Sequence, residues 1–336
     1  RREHLVTLHV AIVGAGPAGI YAADILLKHK KVSDVSVDLF ERLPAPYGLV
    51  RYGVAPDHPR IKGIVNSLRE ILDSGEIRFF GNVNYGTDIT LTDLKAHYHA
   101  VIFATGAMRD ARLDIPGIEL PGSFGAADFV SWYDGHPDVP REWPLDAKEV
   151  AIIGNGNVAL DVARMLVKRP EDLYPTEVPD NVYQILKYSK VTDVHIFGRR
   201  SPWHVKFTPL ELRELGDLTD VDIVLSDEDF SQNQGEQDKS LSDKRLTVLE
   251  RIFADWRNRD VGGASRRLHF HFFAQPLEVE GDVAVTGLRY GRSEVSASGR
   301  MGLTGELQEQ RVQRFTGQLV ILGPHFETFL LMLAKG

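Results

Sequence analysis

The hydrophobic and polar positions at the start of the chain predict a strand, a helix and a second strand. Residues 8–13 form a short apolar run, which is typical of a buried parallel strand. Residues 20–31 carry apolar side chains at helical spacing and end in a group of lysines. Residues 35–40 alternate into a second strand, and Glu41 stands at its end. Together the three segments predict one βαβ unit.

The same pattern restarts near residue 150. Residues 150–153 predict a strand, 160–167 a helix and 191–197 the partner strand, with a longer and more polar helical stretch at 170–190. Two βαβ units in one chain predict a duplicated α/β architecture.

The segment 43–59 breaks the regular pattern. It contains four prolines and two glycines, which forbid a helix and disfavour a central strand. A long irregular loop in a compact domain is usually functional. The other predicted elements are a helix at 61–72, strands at 77–80, 100–106 and 319–323, a solvated loop at 226–242, a helix at 241–257 and an antiparallel meander at 268–290.

Composition and charge add limits to this outline. The chain has 336 residues, of which 43% are hydrophobic and 26% charged. At about 150 residues per domain this length predicts two domains. The 47 acidic residues exceed the 39 lysines and arginines, for a net charge of −8, which argues against a general binder of nucleic acid or of anionic membranes.

The sequence contains no cysteine. This excludes a disulfide scaffold, a Cys-ligated zinc or iron–sulfur site, a Cys nucleophile and a dithiol redox centre, and we predict no metal site. No apolar run approaches the ~18 residues of a membrane span. We expect a cytoplasmic location.

The first glycine-rich turn has the spacing of a dinucleotide-binding site. Glycines at 14, 16 and 19 lie between the predicted strand and helix, where they give a tight turn, close approach of a pyrophosphate and close helix–strand packing. The turn residues that we assign to cofactor binding are Gly14, Gly16, Pro17, Ala18 and Gly19. Glu41 ends the second strand, where a carboxylate accepts hydrogen bonds from a ribose diol, so the site suits FAD or NAD. The alternative is a fortuitous turn.

The second turn differs at the position that reads the ribose. Gly154, Gly156 and Ala159 repeat the spacing, but the second strand of this unit is followed by Arg199 and Arg200 instead of an acid. Adjacent guanidinium groups grip a 2′-phosphate with charge-assisted hydrogen bonds, so this site suits NADP. The alternative is a solvated basic loop. Two nucleotide sites of opposite ribose preference indicate electron transfer from NADPH to a flavin, with the cofactors supplying the redox chemistry.

These motifs resemble the adrenodoxin-reductase type of ferredoxin–NADP reductase, which includes bacterial flavoprotein reductases. The resemblance covers roughly residues 8–320, and the segments that carry it are 14–19, 46–59, 81–83, 154–164, 198–200 and 207–215. It implies two Rossmann-like, doubly wound, three-layer nucleotide-binding domains in a glutathione-reductase-like arrangement. The FAD-binding domain would comprise 1–106 and resume at about 317–336, and the NADP-binding domain would comprise 107–316.

The resemblance also implies roles for single residues. The candidate FAD contacts are Ala18, Glu41, Leu49 and Tyr85, although Tyr85 replaces a smaller residue. The candidate NADP contacts are Asn155, Gly156, Asn157 and Val158 at the pyrophosphate, Arg199 and Arg200 at the 2′-phosphate, and Glu211 at the nicotinamide half. His58 and Glu214 resemble the family's interacting pair near the two rings, and we take them as the candidate catalytic residues.

The chain departs from the family pattern in two places. Where the family has Gly-Pro-Leu after the arginines, this chain has Ser201, Pro202 and Trp203, followed by the unusual His204 and Lys206. After Gly323 the sequence lacks the family's final flavin-contacting segments, so we expect a truncated or frame-shifted piece of a longer protein.

The function that the resemblance implies is hydride transfer from NADPH to FAD, followed by transfer of single electrons to ferredoxin or a similar small iron–sulfur protein. One alternative is a truncated, non-catalytic NADP-binding remnant. Another is an electron-input flavoprotein subunit for a different acceptor, as in glutamate synthase.

Overall fold

A computed structural model describes residues 7–30, 34–107, 113–231, 244–295, 301–303, 310–314, 320–322 and 331–334. The chain divides into two compact units. The first unit comprises Arg1–Arg109 and Phe326–Gly336, and the second comprises Asp110–His325.

The first unit is built on a five-stranded sheet. Its strands are β1 (Leu8–Val13), β2 (Val35–Phe40), β3 (Ile77–Phe80), β4 (Ala100–Phe103) and β15 (Leu331–Ala334). The strand order is β15-β4-β1-β2-β3, with β1 to β4 parallel and β15 antiparallel to β4. The helices of this unit are α1 (Pro17–Lys28), α2 (Leu49–Tyr52), α3 (Pro59–Lys62), α4 (Ile64–Asp73) and α5 (Leu91–His97).

Alternate residues of β1 pack on the two faces of this sheet. Val10 and Ile12 share a hydrophobic cluster with buried residues of α1 and α4. Ala11 and Val13 share another cluster with Leu94 of α5. Since successive side chains of a strand point to opposite faces, helices cover both faces of β1. The first glycine turn follows directly after the end of β1.

The second unit is built on a six-stranded parallel sheet. Its strands are β5 (Ser123–Gly125), β6 (Glu149–Ile153), β7 (Asp193–Phe197), β8 (Val221–Val224), β9 (Arg266–His271) and β14 (Val320–Leu322). Their order is β5-β14-β6-β7-β9-β8, and every neighbouring pair is parallel. The helices are α6 (Ala126–Tyr133), α7 (Asn157–Val167), α8 (Pro170–Leu173), α9 (Asp180–Lys187), α10 (Pro209–Gly216), α11 (Glu228–Ser231) and α12 (Lys244–Arg257).

An antiparallel sheet completes the second unit. It contains β10 (Ala274–Glu280), β11 (Gly287–Val295), β12 (Met301–Leu303) and β13 (Gln310–Arg314); β11 pairs with each of the other three. Ala151 of β6 and Phe197 of β7 pack in one cluster with Ala274, Val279 and Leu288 of this sheet. Helix α7 packs against β6, β7 and β9. The parallel sheet is therefore covered by helices and by antiparallel strands, and the predicted α/β class is confirmed.

Three predicted segments differ from the structure, two of them because local patterns do not specify which strands pair. The meander predicted at 268–290 is wrong in its first strand, since β9 is parallel to β7 and β8. The strand predicted at 319–323 is present as β14, but it pairs with β5 and β6 in the second unit, whereas the first domain is predicted to resume at about 317. The helical stretch predicted at 170–190 is two helices, α8 and α9, of which α8 begins at Pro170.

The prediction of no helix in 43–59 is wrong as well. Helix α2 forms one turn directly after Gly48, and α3 begins at Pro59, where a proline loses no hydrogen bond because the first N–H groups of a helix have no partner within it. Residues 232–243 of the predicted loop and helix, and 323–330 of the tail, lie outside the described residues. No helix in the described part of the chain has both the length and the apolar character needed to cross a membrane.

Candidate functional site

The first glycine turn leads directly from β1 into α1. Gly14 has a φ of +107°, and a Cβ atom on it would collide with the carbonyl oxygen of Ala104. A Cβ atom on Gly19 would collide with the carbonyl oxygen of Gly14. Gly16 caps α1, and Pro17 and Ala18 are its first residues. The turn therefore requires glycine at both ends and directs the free N–H groups of the helix into the site.

Glu41 is fixed beside this turn. Its Oε2 accepts a hydrogen bond of 2.8 Å from the N–H of Ala15, and its Oε1 accepts one of 3.1 Å from the N–H of Leu43. Each carboxylate oxygen has a second lone pair. The side chain is thus held in place with acceptor capacity left for a ribose diol.

The proline-rich segment lies on the same turn. The N–H of Tyr47 donates to the carbonyl oxygen of Ala15 at 2.8 Å. Gly48 has a φ of +49°, and a Cβ atom on it would lie 3.0 Å from the Cα atom of Gly16. Leu49 follows as the first residue of α2, with 38% of its surface exposed. These contacts bring Leu49 to the glycine turn.

Tyr85 lies at the end of β4. Its ring meets that of Phe103 edge-on, with 4.9 Å between the centroids, and it is 37% exposed. Because Phe103 ends β4 next to Ala104, whose carbonyl contacts Gly14, the structure brings Tyr85 to the carboxyl edge of the sheet that carries the first turn.

His58 and Glu214 belong to different units. His58 is buried at the start of α3, and its carbonyl oxygen accepts hydrogen bonds from the N–H groups of Ile61 and Lys62. Glu214 is half-buried in α10. Their action as a pair stays a prediction.

The second glycine turn repeats the geometry of the first between β6 and α7. Gly154 has a φ of +137°, and Gly156 caps α7, whose first residues are Asn157 and Val158. No described atom lies within 4 Å of the position that a Cβ atom on Gly156 would take. Open space at a helix N-terminus is the setting in which a pyrophosphate binds. The side chain of Asn155 contacts the position of a Cβ atom on Gly198, which ties the turn to the end of β7.

Arg199 and Arg200 follow β7 at this same edge. Arg199 is exposed and Arg200 half-buried, and the carbonyl oxygen of Arg200 accepts a hydrogen bond of 3.1 Å from the N–H of Phe273. Neither guanidinium forms a salt bridge with another described residue. Both are therefore available to an anionic ligand.

Glu211 is buried in α10 close to a buried arginine. The Nη1 of Arg164 lies 3.8 Å from the Oε2 of Glu211 and 3.0 Å from the Oδ1 of Asp161. Thr208 caps α10 and accepts a hydrogen bond from the N–H of Glu211. The positive charge of Arg164 compensates the carboxylate of Glu211 and keeps it fixed in α10.

Comparison with known proteins finds relatives among pyridine-nucleotide oxidoreductases. The family model described as pyridine nucleotide-disulphide oxidoreductase matches residues 8–197. The NADPH-ferredoxin reductase FprA of Mycobacterium leprae is 40% identical over 322 residues, which are 92% of this chain and 70% of the relative. The mitochondrial NADPH:adrenodoxin oxidoreductase of Homo sapiens is 41% identical over 283 residues, which are 81% of this chain and 56% of that protein.

The chain belongs to the adrenodoxin-reductase type of ferredoxin–NADP reductase. A solved structure of this reductase type, that of FprA from Mycobacterium tuberculosis with a covalent modification of NADP⁺, matches with a TM-score of 0.87 and 39% identity. It covers 94% of this chain, which corresponds to 70% of the solved one. The structure of FprA in complex with NADPH matches with the same TM-score and 38% identity.

Two residues that position Glu211 in this ferredoxin–NADP reductase, Arg164 and Thr208, are not among the candidates taken from the sequence. Arg164 stands near Glu211 only because α7 and α10 pack together, and no local pattern indicates that contact. Thr208 has a signal in the sequence, since a threonine before Pro209 with an acid three residues on is typical of a helix N-cap.

Proposed function

We propose that this protein is a flavoprotein oxidoreductase that takes electrons from NADPH and delivers them singly to ferredoxin or a similar small iron–sulfur protein. The observation that carries the proposal is the contrast between the two glycine turns. The strand beside the first turn ends in the fixed carboxylate of Glu41, and the strand beside the second ends in the two available guanidinium groups. One unit therefore favours a free ribose diol and the other a 2′-phosphate.

The first turn fits FAD. The turn has no room for a side chain at Gly14 or Gly19, because a Cβ atom there would collide with the backbone. The N-terminus of α1 supplies N–H groups and the positive end of the helix dipole for phosphates. Glu41 would hold the ribose, and Leu49 and Tyr85 lie at the same edge of the sheet.

The second turn fits NADP(H). The open position above Gly156 would accept the pyrophosphate, with Asn155, Asn157 and Val158 around it. Arg199 and Arg200 would bind the 2′-phosphate, and a carboxylate in their place would repel it. Glu211 would bind the nicotinamide half of the molecule from α10.

The cofactors supply the redox chemistry when bound, because flavin accepts a hydride from NADPH and releases electrons one at a time. The side chains of this protein would bind the two cofactors and orient them. We propose that His58, which is buried at the N-cap of α3, and Glu214 act on the bound cofactors by positioning and by electrostatics. No separate general base is needed for hydride transfer.

The relatives named NADPH-ferredoxin reductase support the acceptor, since they resemble this chain over 91% or more of its length. The net charge of −8 requires any surface that binds an acidic ferredoxin to be local. We propose a cytoplasmic location, where NADPH would be available to the second turn.

Exchange of both arginines for alanine tests the nucleotide assignment. In the Arg199→Ala/Arg200→Ala variant we expect the KM for NADPH to rise by at least about tenfold, because charge-assisted bonds to a phosphate contribute roughly 1.5–3 kcal/mol each, while the KM for NADH stays within about twofold. The assay is ferredoxin-dependent reduction of a haem-protein acceptor.

Arg169→Ala is the matched control, because Arg169 is exposed and pairs with Asp172 beyond the C-terminal end of α7, away from the turn. Equal losses with NADPH and NADH would overturn the 2′-phosphate assignment. Full activity without ferredoxin in the mixture would overturn the iron–sulfur acceptor.

A further inference from the structure

A short segment of the second unit, residues 205–208, runs beside the second glycine turn. The N–H of Lys206 donates a hydrogen bond of 3.2 Å to the carbonyl oxygen of Asn155. The N–H of Thr208 donates one of 2.9 Å to the Oδ1 of Asn157. Asn155 lies in the turn and Asn157 is the first residue of α7, so the segment follows the chain through the place where a pyrophosphate would bind.

The same segment is held from its other side by α12. The guanidinium of Arg245 donates hydrogen bonds of 2.5 and 3.1 Å to the carbonyl oxygens of Val205 and Phe207. The side chains of Val205 and Phe207 are buried, with 3% and 0% of their surface exposed. The backbone on both sides of Lys206 is therefore fixed.

Lys206 is the exposed residue between these two buried ones. Its ammonium forms no salt bridge with any other residue in the part of the chain that the structure describes. A lysine ammonium is a compact charge on a flexible stem, which suits a point contact with a phosphate oxygen. An unpaired cation on a fixed backbone beside a helix N-terminus adds directly to the positive potential there.

We propose that Lys206 binds the pyrophosphate of the nicotinamide nucleotide, an inference that rests on the proposed function of the second turn. Its backbone contact is with Asn155, in the turn before α7, whereas Arg199 and Arg200 follow β7. Lys206 therefore contacts the pyrophosphate, which NADP and NAD have in common. It raises affinity for both nucleotides, and the two arginines discriminate between them.

The experiment compares wild type with Lys206→Ala by isothermal titration calorimetry at low ionic strength. The titrants are NADP⁺, NAD⁺ and 2′-AMP, of which the last has a 2′-phosphate and no pyrophosphate. We expect Lys206→Ala to weaken NADP⁺ and NAD⁺ by the same factor, about three- to tenfold for one exposed charge-assisted contact. Binding of 2′-AMP stays unchanged, and Lys206→Arg keeps most of the affinity.

Lys148→Ala is the matched control. Lys148 is exposed directly before β6, at the opposite end of the strand from the turn, so its loss removes the same charge without touching the site. Since the Lys206 side chain is exposed, the variants should keep the thermal midpoint of wild type.

Two results would overturn the inference. Unchanged affinity of Lys206→Ala for all three titrants would show that the ammonium contacts no phosphate. A loss confined to NADP⁺ and 2′-AMP would place it at the 2′-phosphate instead. Failure of the proposed function gives a different result, because wild type itself would then bind none of these nucleotides.

Discussion

At the scale of single residues, the two units differ most in the charge that follows the second strand of each βαβ unit. Glu41 accepts hydrogen bonds from Ala15 and Leu43 and is held against its own turn. Arg199 and Arg200 make no salt bridge within the described residues. The spacing in the sequence predicts these three positions, but the backbone donors that fix Glu41 lie at contacts which only the fold creates.

A second residue-scale feature is a stack of imidazole rings on the parallel sheet of the second unit. The ring of His195 lies 4.2 Å from that of His269, and its Nδ1 is 3.0 Å from the Nε2 of His271. The charged groups around them are Glu149 of β6, Asp193 of β7 and Arg267 of β9. Burial, together with the two neighbouring histidines, lowers the pKa of His195 from its ordinary value of 6.5 to about 2.

This shift predicts that the second unit loses stability in mild acid. Well above pH 6.5, His195 is neutral in the folded and the unfolded chain and contributes no pH dependence. As the pH falls below that value, the unfolded chain binds a proton that the folded chain refuses. The free energy of unfolding then falls by up to about 1.4 kcal/mol per pH unit.

The measurement is urea unfolding of wild type and of His195→Phe at pH 7, 6 and 5. We expect a shallower pH dependence in His195→Phe than in wild type. His97→Asn serves as the control, because His97 is exposed in the last turn of α5. Equal slopes for wild type and His195→Phe would contradict the assignment.

At the scale of elements, the same sequence motif produces two different helix–strand contacts. In the first unit a Cβ atom on Gly19 would collide with the backbone of Gly14. In the second unit the equivalent residue is Ala159, which is buried with 2% of its surface exposed. Helix α7 therefore begins with room for one methyl group more than α1.

Two alanine substitutions separate folding from binding at these turns. Gly19→Ala should destabilise the first unit by about 1–3 kcal/mol, because a methyl group must displace backbone. Gly156→Ala should leave the thermal midpoint nearly unchanged, since the added methyl group meets no described atom within 4 Å. It should weaken NADP⁺ by about tenfold or more, because the methyl group occupies the space of the pyrophosphate.

Thermal unfolding and NADP⁺ titration of both variants test this contrast, and Gly263→Ala, at a position where a Cβ atom also has open space, is the control. Tight NADP⁺ binding by Gly156→Ala would mean that the pyrophosphate lies elsewhere.

The sequence predicted the elements whose periodicity is strong and local. The strands at 8–13 and 35–40 and the helix between them follow from buried alternation and glycine spacing, as do their counterparts after residue 150. The parallel pairing of β9 was missed because the same alternation fits either direction of pairing. The one-turn helices α2 and α3 were missed because tertiary contacts at Gly48 and a proline at the first position outweigh the weak local propensity.

Contacts between residues far apart in the sequence could not be predicted from it. The hydrogen bonds of Arg245 with the carbonyls of Val205 and Phe207 join residues about forty positions apart, and no periodicity indicates them. The same is true of the approach of Arg164 to Glu211. Such contacts depend on how α7, α10 and α12 pack, which is a property of the folded unit.

At the scale of the whole molecule, the chain carries two units that each hold a glycine-rich turn between a strand and a helix, and the residues that follow the second strand have opposite charges, Glu41 in one unit and Arg199 and Arg200 in the other. The 336 residues contain no cysteine, so no dithiol among them can carry electrons as in disulfide reductases. The proposed electron transfer therefore relies on flavin and NADPH bound to one protein. The roles of His58 and Glu214, which belong to different units, stay predictions at this scale.

The most direct test of this account is the visible absorbance of the purified protein, incubated with FAD and freed of excess, before and after anaerobic addition of NADPH. We expect the flavin absorbance bands in the purified protein, rapid bleaching by NADPH, much slower bleaching by NADH, and return of the colour when oxidised ferredoxin is added. A colourless protein that still binds NADP⁺, or a flavin band that NADPH leaves unchanged, would contradict it.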